Sequence, residues 1–511
     1  MQYQISNFKV LVSDNRDLKE IIKLKYKLKS FEYKIISKSI DARNKNEIYY
    51  NYKLDITTNE KIKGKNVIEG CKKFISVSYP KWEKQYNPVI VGFGPAGIFA
   101  ALYLARCKAN PIIIERGKKI EDRKNDVDNF IKNKILNPNS NVQFGEGGAG
   151  AFSDGKLTTN VKNPLIDFIL EELVKHGAKE DILYDSMPHV GTDYLVKVVA
   201  NIRDEIISLG GKFYFETTFI DSEINDDYLI VKTDNNLAIT TNHLLLGIGH
   251  SAKDTIRHLY NSMHLSMEPK AFSMGVRIEH PKELINNAQY GRYARYLPPA
   301  YYKLAHHTES RGVYTFCMCP GGYVLASQSD KNTIVTNGMS NQDRGNFNSN
   351  SALLVDVRPS DYFKSSVLDG IDYQEKYERL AFEVSKDYRA PANLVKEFLN
   401  DEIAIATRTV DTTYPHGLVF TDFNNCLPSF VVDAMKEGIV AFDKKLNGFA
   451  FNDAIMIGIE SRSSCPIRMI RNENRESNIK GIYPIGEGAG YAGGITSAAL
   501  DGLQTAILIS K

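Results

Sequence analysis

A chain of 511 residues, 43% apolar and 24% charged, has the length for about two to four domains and the composition of a folded globular protein. A net charge of +3 excludes a strong single-sign field over the whole molecule. Six scattered cysteines exclude a disulfide framework. The first residues lack a basic, apolar, then small pattern, so a cytoplasmic protein without a signal peptide is expected.

Residues 1–86 are expected to form a small basic α+β accessory domain. They hold 19 Lys+Arg against 10 Asp+Glu, a local +9 that leaves −6 on the other 425 residues. A lysine-rich solvated surface accounts for this; a grip on a polyanion is the competing reading. Patterning predicts a strand over 7–12 and a helix over 15–28. Alternating strands are expected over 32–40 and 47–56, then a helix over 65–74. The polar run after Pro80 reads as a linker.

From Pro88 the pattern becomes strand, Gly-rich turn, helix, strand. Val89-Ile90-Val91 leads into Gly92-x-Gly94-Pro95-Ala96-Gly97. The first glycine permits the tight turn, the second lets phosphate approach the backbone, and the third lets helix pack on strand. The helix N-terminus offers free N–H groups and partial positive charge. Ile112-Ile113-Ile114 follows, and Glu115, 18 positions after Gly97, stands where an acid hydrogen-bonds a ribose, with Arg116 beside it. The uncharged run 89–105 resembles a membrane span on a hydropathy plot. Three glycines and a proline divide it into strand, turn and helix, so no membrane association is expected.

Helical periodicity returns over 164–176 and 192–209, with strand-like runs over 212–217 and 227–232. Leu244-Leu245-Leu246 then enters Gly247-x-Gly249-x-x-Ala252. This is either a second dinucleotide loop or the close of the first nucleotide-binding half. A mixed region over 251–450 has a helix-rich part near 372–400. Near the C-terminus Gly481 to Gly488 delivers an acid into a Gly-rich turn, and a helix opens at Gly493-Gly494-Ile495. This resembles the C-terminal FAD signature of glutathione-reductase-like flavoproteins. The resemblance implies FAD, with Glu487 at the ribityl chain, Gly486 beside it as a further cofactor-binding residue, and the helix starting at Gly494 and Ile495 aimed at the flavin N1–C2=O edge. A helix N-terminus there stabilises the negative charge of the reduced ring. In that superfamily the 244–250 segment reads as the close of the first FAD half. Residues 263–267 are also a poor buried strand before Glu268, so no dedicated NAD(P) domain is expected.

Phe144-Gly145-Glu146-Gly147-Gly148-Ala149-Gly150-Ala151-Phe152-Ser153-Asp154-Gly155 is too long and unusual for a generic turn. With 250–255, 275–280, 289–291, 319–322, 337–340 and 460–468 it resembles an uncharacterised bacterial family of FAD-dependent dehydrogenases. The match spans most of 87–511 and, loosely, 39–43. It implies FAD and oxidoreductase chemistry, without a substrate. The free N–H groups around Gly148, Ala149 and Ser153 suit the pyrophosphate or flavin.

Hydride transfer at flavin N5 needs from the protein only orientation, electrostatics and an acid or base. His280 beside Glu279 is the candidate proton carrier, with Tyr290 a weaker one. Arg462, with Arg468 near Glu460, is the candidate grip on an anionic substrate. Cys317-Met318-Cys319 lacks further metal ligands, so no metal is expected. The helix after the nucleotide loop carries only Cys107, which excludes the disulfide-reductase arrangement. The expected fold is α/β: a Rossmann-like FAD-binding domain (87–250 and 451–511) split by an inserted α+β substrate or cap domain (251–450), after the N-terminal domain. The expected function is an FAD-dependent oxidoreductase, a dehydrogenase with a small-molecule substrate and a further electron donor or acceptor. The alternative is a nucleic-acid-associated flavoprotein such as an RNA-modifying enzyme.

Overall fold

The computed structural model describes residues 1–73 and 75–511. Its centre is a five-stranded sheet of three-residue apolar strands. The order is Ile482–Pro484, Leu244–Leu246, Val89–Val91, Ile112–Ile114, Lys212–Tyr214, and every pairing is parallel. The four strands before the Lys212–Tyr214 edge are almost wholly buried, the pattern of a parallel sheet covered on both faces. On one face Pro95–Arg106 packs against Ile495–Ile509. A Cβ on Gly502 would stand 2.0 Å from the Ala96 carbonyl oxygen, so glycine sets how closely these helices approach. The other face is covered by Phe219–Ile224, Leu229–Thr233 and Ala238–Thr241, an antiparallel sheet, and by the helix Lys253–Asn261. Leu244–Leu246 sits between Val89–Val91 and Ile482–Pro484, so the 247–252 turn belongs to the same sheet as the first loop.

The N-terminal residues form a four-stranded antiparallel sheet in the order Phe31–Asp41, Tyr49–Thr58, Gln2–Leu11, Val67–Glu69. One helix, Leu18–Tyr26, is capped by the Asp17 side chain and closed by Lys27 in the left-handed region. The helix expected over 65–74 is not there. Val67–Glu69 pairs with Tyr3–Ile5 as an edge strand, which tertiary pairing imposes over local propensity, and Phe74 lies outside the described residues. The stretch expected as a linker is fastened. Trp82 is buried, its backbone N–H bonds the Cys107 carbonyl at 2.7 Å, and Tyr103 Oη donates to the Ser78 carbonyl.

A seven-stranded sheet carries the inserted region, in the order Ala305–His307, Gly312–Cys319, Asn348–Val357, Phe272–Pro281, Ile455–Glu460, Ala390–Leu394, Leu418–Phe420. This moves the expected boundaries at 250/251 and 450/451. Ile455–Glu460 pairs with Phe272–Pro281 and belongs to the seven-stranded sheet, whereas Lys253–Asn261 packs its apolar face on the five-stranded parallel sheet. Met267–Pro269 pairs with Ile467–Met469 where the chain leaves and re-enters that core. Apolar, buried strands occur in both sheets, so burial pattern alone does not assign 455–460 to either.

Candidate functional site

The C-terminal ends of the parallel strands open into a cavity of about 750 Å³. One end is built from backbone. Gly92 has φ +90°, and a Cβ there would lie 2.3 Å from the Gly247 oxygen; one on Gly97 would lie 2.0 Å from the Gly92 oxygen. Packing of the loop on its neighbours therefore requires both glycines, and Gly97 does not itself line the cavity. Gly94 differs, since its Cβ would meet only Gly148 Cα, at 3.6 Å. Around Gly249, Gly493 and Gly494 a Cβ would meet nothing within 4 Å. These positions face open space, a cradle with room for a ligand. The first turns at Pro95–Ala96 and at Ile495 both line it, and free N–H groups at such ends favour an anion.

Glu115 is buried and accepts from the N–H groups of Phe93 (2.9 Å), Gly117 (2.9 Å) and Gly145 (3.1 Å). A carboxylate has about four acceptor sites, so one remains for a ligand hydroxyl. Arg116 pairs with Asp254 at 2.9 Å and lies over the Phe144 ring. The Gly-rich loop is tied from beneath by Arg123, which is fully buried and donates to the carbonyls of Asn141, Val142, Gly145 and Glu146. Gly148 (φ +60°) approaches Gly94 so closely that its Cβ would stand 2.9 Å from Gly94 Cα. Gly148, Ala149 and Ser153 thereby reach the same cavity as the first loop.

Gly486, at φ +76°, packs on Ala96 and does not line the cavity; its N–H bonds Asp501. Glu487 does line it. His250 Nδ1 donates to Glu487 at 2.5 Å, and Cys465 N donates to its other oxygen at 3.2 Å. Against the upward push of burial, His250 and Lys270 hold the Glu487 carboxylate below its ordinary range. The other ring nitrogen of His250, Nε2, is buried and has no protein partner, although His250 lines the cavity. A ligand polar atom would satisfy it. The expected Glu487 position is therefore shared with a histidine that patterning did not single out.

Arg462 lines the cavity, yet its donors are engaged. Nε and Nη2 fork onto Glu378 (2.9 and 2.8 Å), Nη1 donates to Ser251 and Ser329, and Nη2 also reaches Asp330. Five N–H groups on five contacts leave none for a substrate carboxylate, which corrects the expected grip. Lys253 shares Glu378 at 2.9 Å, so this buried cluster joins the 251–253 turn to the insert. Arg468 pairs with Glu268 and does not line the cavity. His280 is a second correction. It is fully buried in the insert's central strand, its Nε2 bonds the Phe449 carbonyl at 2.8 Å, and burial pushes it down to about 4. It is neutral and does not line the cavity. Tyr290 is likewise buried and outside it.

The structure brings other groups to the far end: Lys156, Tyr301, Cys317 and Glu460. Lys156 Nζ lies 3.5 Å from the buried Asp154 and 4.8 Å over the Tyr301 ring, and it contacts the Met318 carbonyl. Glu460 pairs with Arg277 at 3.1 Å, and burial pushes its carboxyl up to about 7 despite that cation. Sequence spacing gave no signal for this set, because the four residues come from distant segments. Among the described residues no three His, Cys, Asp or Glu side chains gather as metal ligands. Among the described residues no helix is long and apolar enough to cross a membrane.

A Clostridium beijerinckii protein described as uncharacterized is 47% identical over 485 residues, covering 92% of this chain and 91% of its own length. The chain belongs to that protein's family. Residues 271–463 match the model of the FAD-dependent protein, C-terminal domain-like family, and residues 1–57 match a domain of unknown function. The first span coincides with the seven-stranded insert. FAD is the cofactor, and the cradle fits it: two helix N-termini, a buried acid with acceptor capacity and an open glycine floor lie in one cavity. Among solved structures, the chain is similar to the halogenase PltM (TM-score 0.37, 11% identity, 84% of this chain and 69% of that one). It is also similar to CtdE in complex with FAD and substrate (TM-score 0.35, 12% identity, 84% and 82%). Both likenesses are too distant to carry residues across.

Proposed function

We propose that this family member is an FAD-dependent oxidoreductase, a dehydrogenase acting on a small molecule, with a Rossmann-like cofactor domain. One observation carries the reading: a single cavity has a backbone end suited to a dinucleotide and a far end lined by ionisable side chains. Bound FAD supplies a two-electron acceptor whose ring takes hydride. The loop Gly92–Gly97 and the helix N-termini at Pro95 and Ile495 would hold its phosphates and ring edge, Glu115 a ribose hydroxyl, and Glu487 with His250 the ribityl hydroxyls. The substrate would occupy the end lined by Lys156, Tyr301, Cys317 and Glu460, where these groups orient it and move its proton. Arg462 fixes the wall between the two ends without touching the substrate.

Anaerobic mixing of the flavin-loaded protein with NADH, NADPH and a panel of alcohols, amines and hydroxy acids tests this. Bleaching of the flavin by at least one of them is expected. An oxidised flavin after every addition would overturn the dehydrogenase reading.

A further inference from the structure

Cys317 occupies an unusual place in the strand Gly312–Cys319. Phe316 pairs with Ala352 but Cys319 pairs with Asn350, so three steps on one strand oppose two on its partner. This β-bulge leaves Cys317 in the left-handed region, at φ +42°. A non-glycine residue there is strained, and bulges re-aim side chains beside active sites. Cys317 is re-aimed to the cavity wall, while Cys319 is fully buried behind it.

The groups around this sulfur select its charge. The Cys319 thiol donates to the Cys317 carbonyl at 3.2 Å, Arg277 Nη2 donates to the same carbonyl at 2.9 Å, and Lys156 contacts the adjoining Met318 carbonyl, so a thiol and two cations crowd this residue, with Asp154, Glu460 and Tyr301 around them. Asp154 is partly neutralised by Lys156 and by Arg344 at 3.6 Å, and Glu460 is paired with Arg277. The neighbouring Cys319 thiol and the two cations hold the Cys317 thiol below its ordinary range, against burial and Asp154. Cys319 goes the other way, since burial and its neighbour keep it protonated as a donor. A lowered thiol with adjacent cations and partial exposure is the setting of a reactive cysteine.

We propose that the Cys317 sulfur, turned into the cavity by the bulge and flanked by two cations, is the proton-accepting site for a small molecule that carries an X–H group next to its oxidisable carbon. The inference rests on the oxidoreductase reading. In a substrate H–C–X–H, with X oxygen or nitrogen, the X–H proton passes to the Cys317 sulfur. Bound FAD would be the two-electron acceptor for the C–H hydrogen and its electron pair, leaving a C=X double bond. Cys319, Lys156 and Arg277 are positioning residues that act through the sulfur.

The test is alkylation of the FAD-loaded protein by iodoacetamide across pH, with modification at Cys317 followed by peptide mass and bound flavin measured in parallel. Half-maximal rate below about pH 7 is expected, against ~8.5 for an unperturbed thiol. Cys319→Ala and K156Q should each move that midpoint upward while flavin content is unchanged. Cys317→Ser should lose only this modified peptide. A midpoint at or above the ordinary thiol value, or a Cys317 protected when FAD is bound but modified after denaturation, would overturn the proposal. Loss of bound flavin in the wild-type protein would instead count against the parent reading.

Discussion

The two ends of the cavity are built in opposite ways. The cofactor end is mostly backbone, from glycine turns beyond the C-terminal ends of strands in one parallel sheet and from the Gly145–Gly150 loop. The proposed substrate end uses side chains from 156, 301, 317 and 460, carried by two loops and by two strands of a different, mostly antiparallel sheet. A site made of backbone leaves its mark in spacing, because few residues other than glycine fit its turns. A site made of side chains on an inserted sheet leaves none, because tertiary pairing alone brings its members together.

This contrast breaks most sharply at Gly97. G97V puts side-chain atoms against the Gly92 carbonyl, where even a Cβ would stand 2.0 Å away. No folded, flavin-containing protein is expected on purification; normal yield with bound flavin would contradict the packing account.

The next effect belongs to the junction. E378A leaves Arg462 and Lys253 buried without their shared carboxylate, and such losses cost about 3–5 kcal/mol. Denaturant unfolding should show it, and Glu378→Gln should recover part. Glu378 is held below its ordinary value of 4.5, against burial, by Arg462 and Lys253. The unfolded chain therefore takes up this proton first as pH falls below about 4.5. Stability present above that pH drains away toward the lower folded value, and E378Q should flatten that part of the pH–stability curve.

His280 gives the smallest effect. Buried neutral, with its value lowered from 6.5 to about 4, it contributes stability that is lost as pH falls through that window. His280→Asn should flatten the stability curve between pH 6.5 and 4 and leave the pH dependence of flavin reduction unmoved. A shifted reduction profile would return His280 to the site.

How much was legible follows the same division. Gly92-x-Gly94-x-x-Gly97, the acid at 115 and the Gly493–Ile495 turn were readable because each encodes a local backbone requirement. Within the first loop the spacing already implies the division seen, with Gly92 and Gly97 serving turn and packing and Gly94 leaving space; that Gly249 and Gly494 also leave space while Gly486 packs on Ala96 was not readable. Arg462 and His280 were conspicuous as types, but Glu378, Asp330, Ser251 and Ser329 together saturate one and a ten-residue strand buries the other. Cys317 was visible only as half of a Cys-x-Cys pair, since a bulge that turns it into the cavity has no sequence signature. Val67–Glu69 was misread as helix because its partner, Tyr3–Ile5, lies more than sixty residues earlier.

The central claim is that the open glycine floor is FAD space rather than a packing requirement. Gly494→Val tests it most directly, because Gly494 has extended backbone (φ 178°) and no protein atom within 4 Å of a Cβ. Calorimetric titration of FAD into the deflavinated wild-type and variant proteins, with unfolding measured on both, is the measurement. The account predicts apo stability within about 0.5 kcal/mol of wild type and FAD affinity at least about tenfold weaker. Unchanged FAD affinity in a stably folded Gly494→Val protein would contradict it.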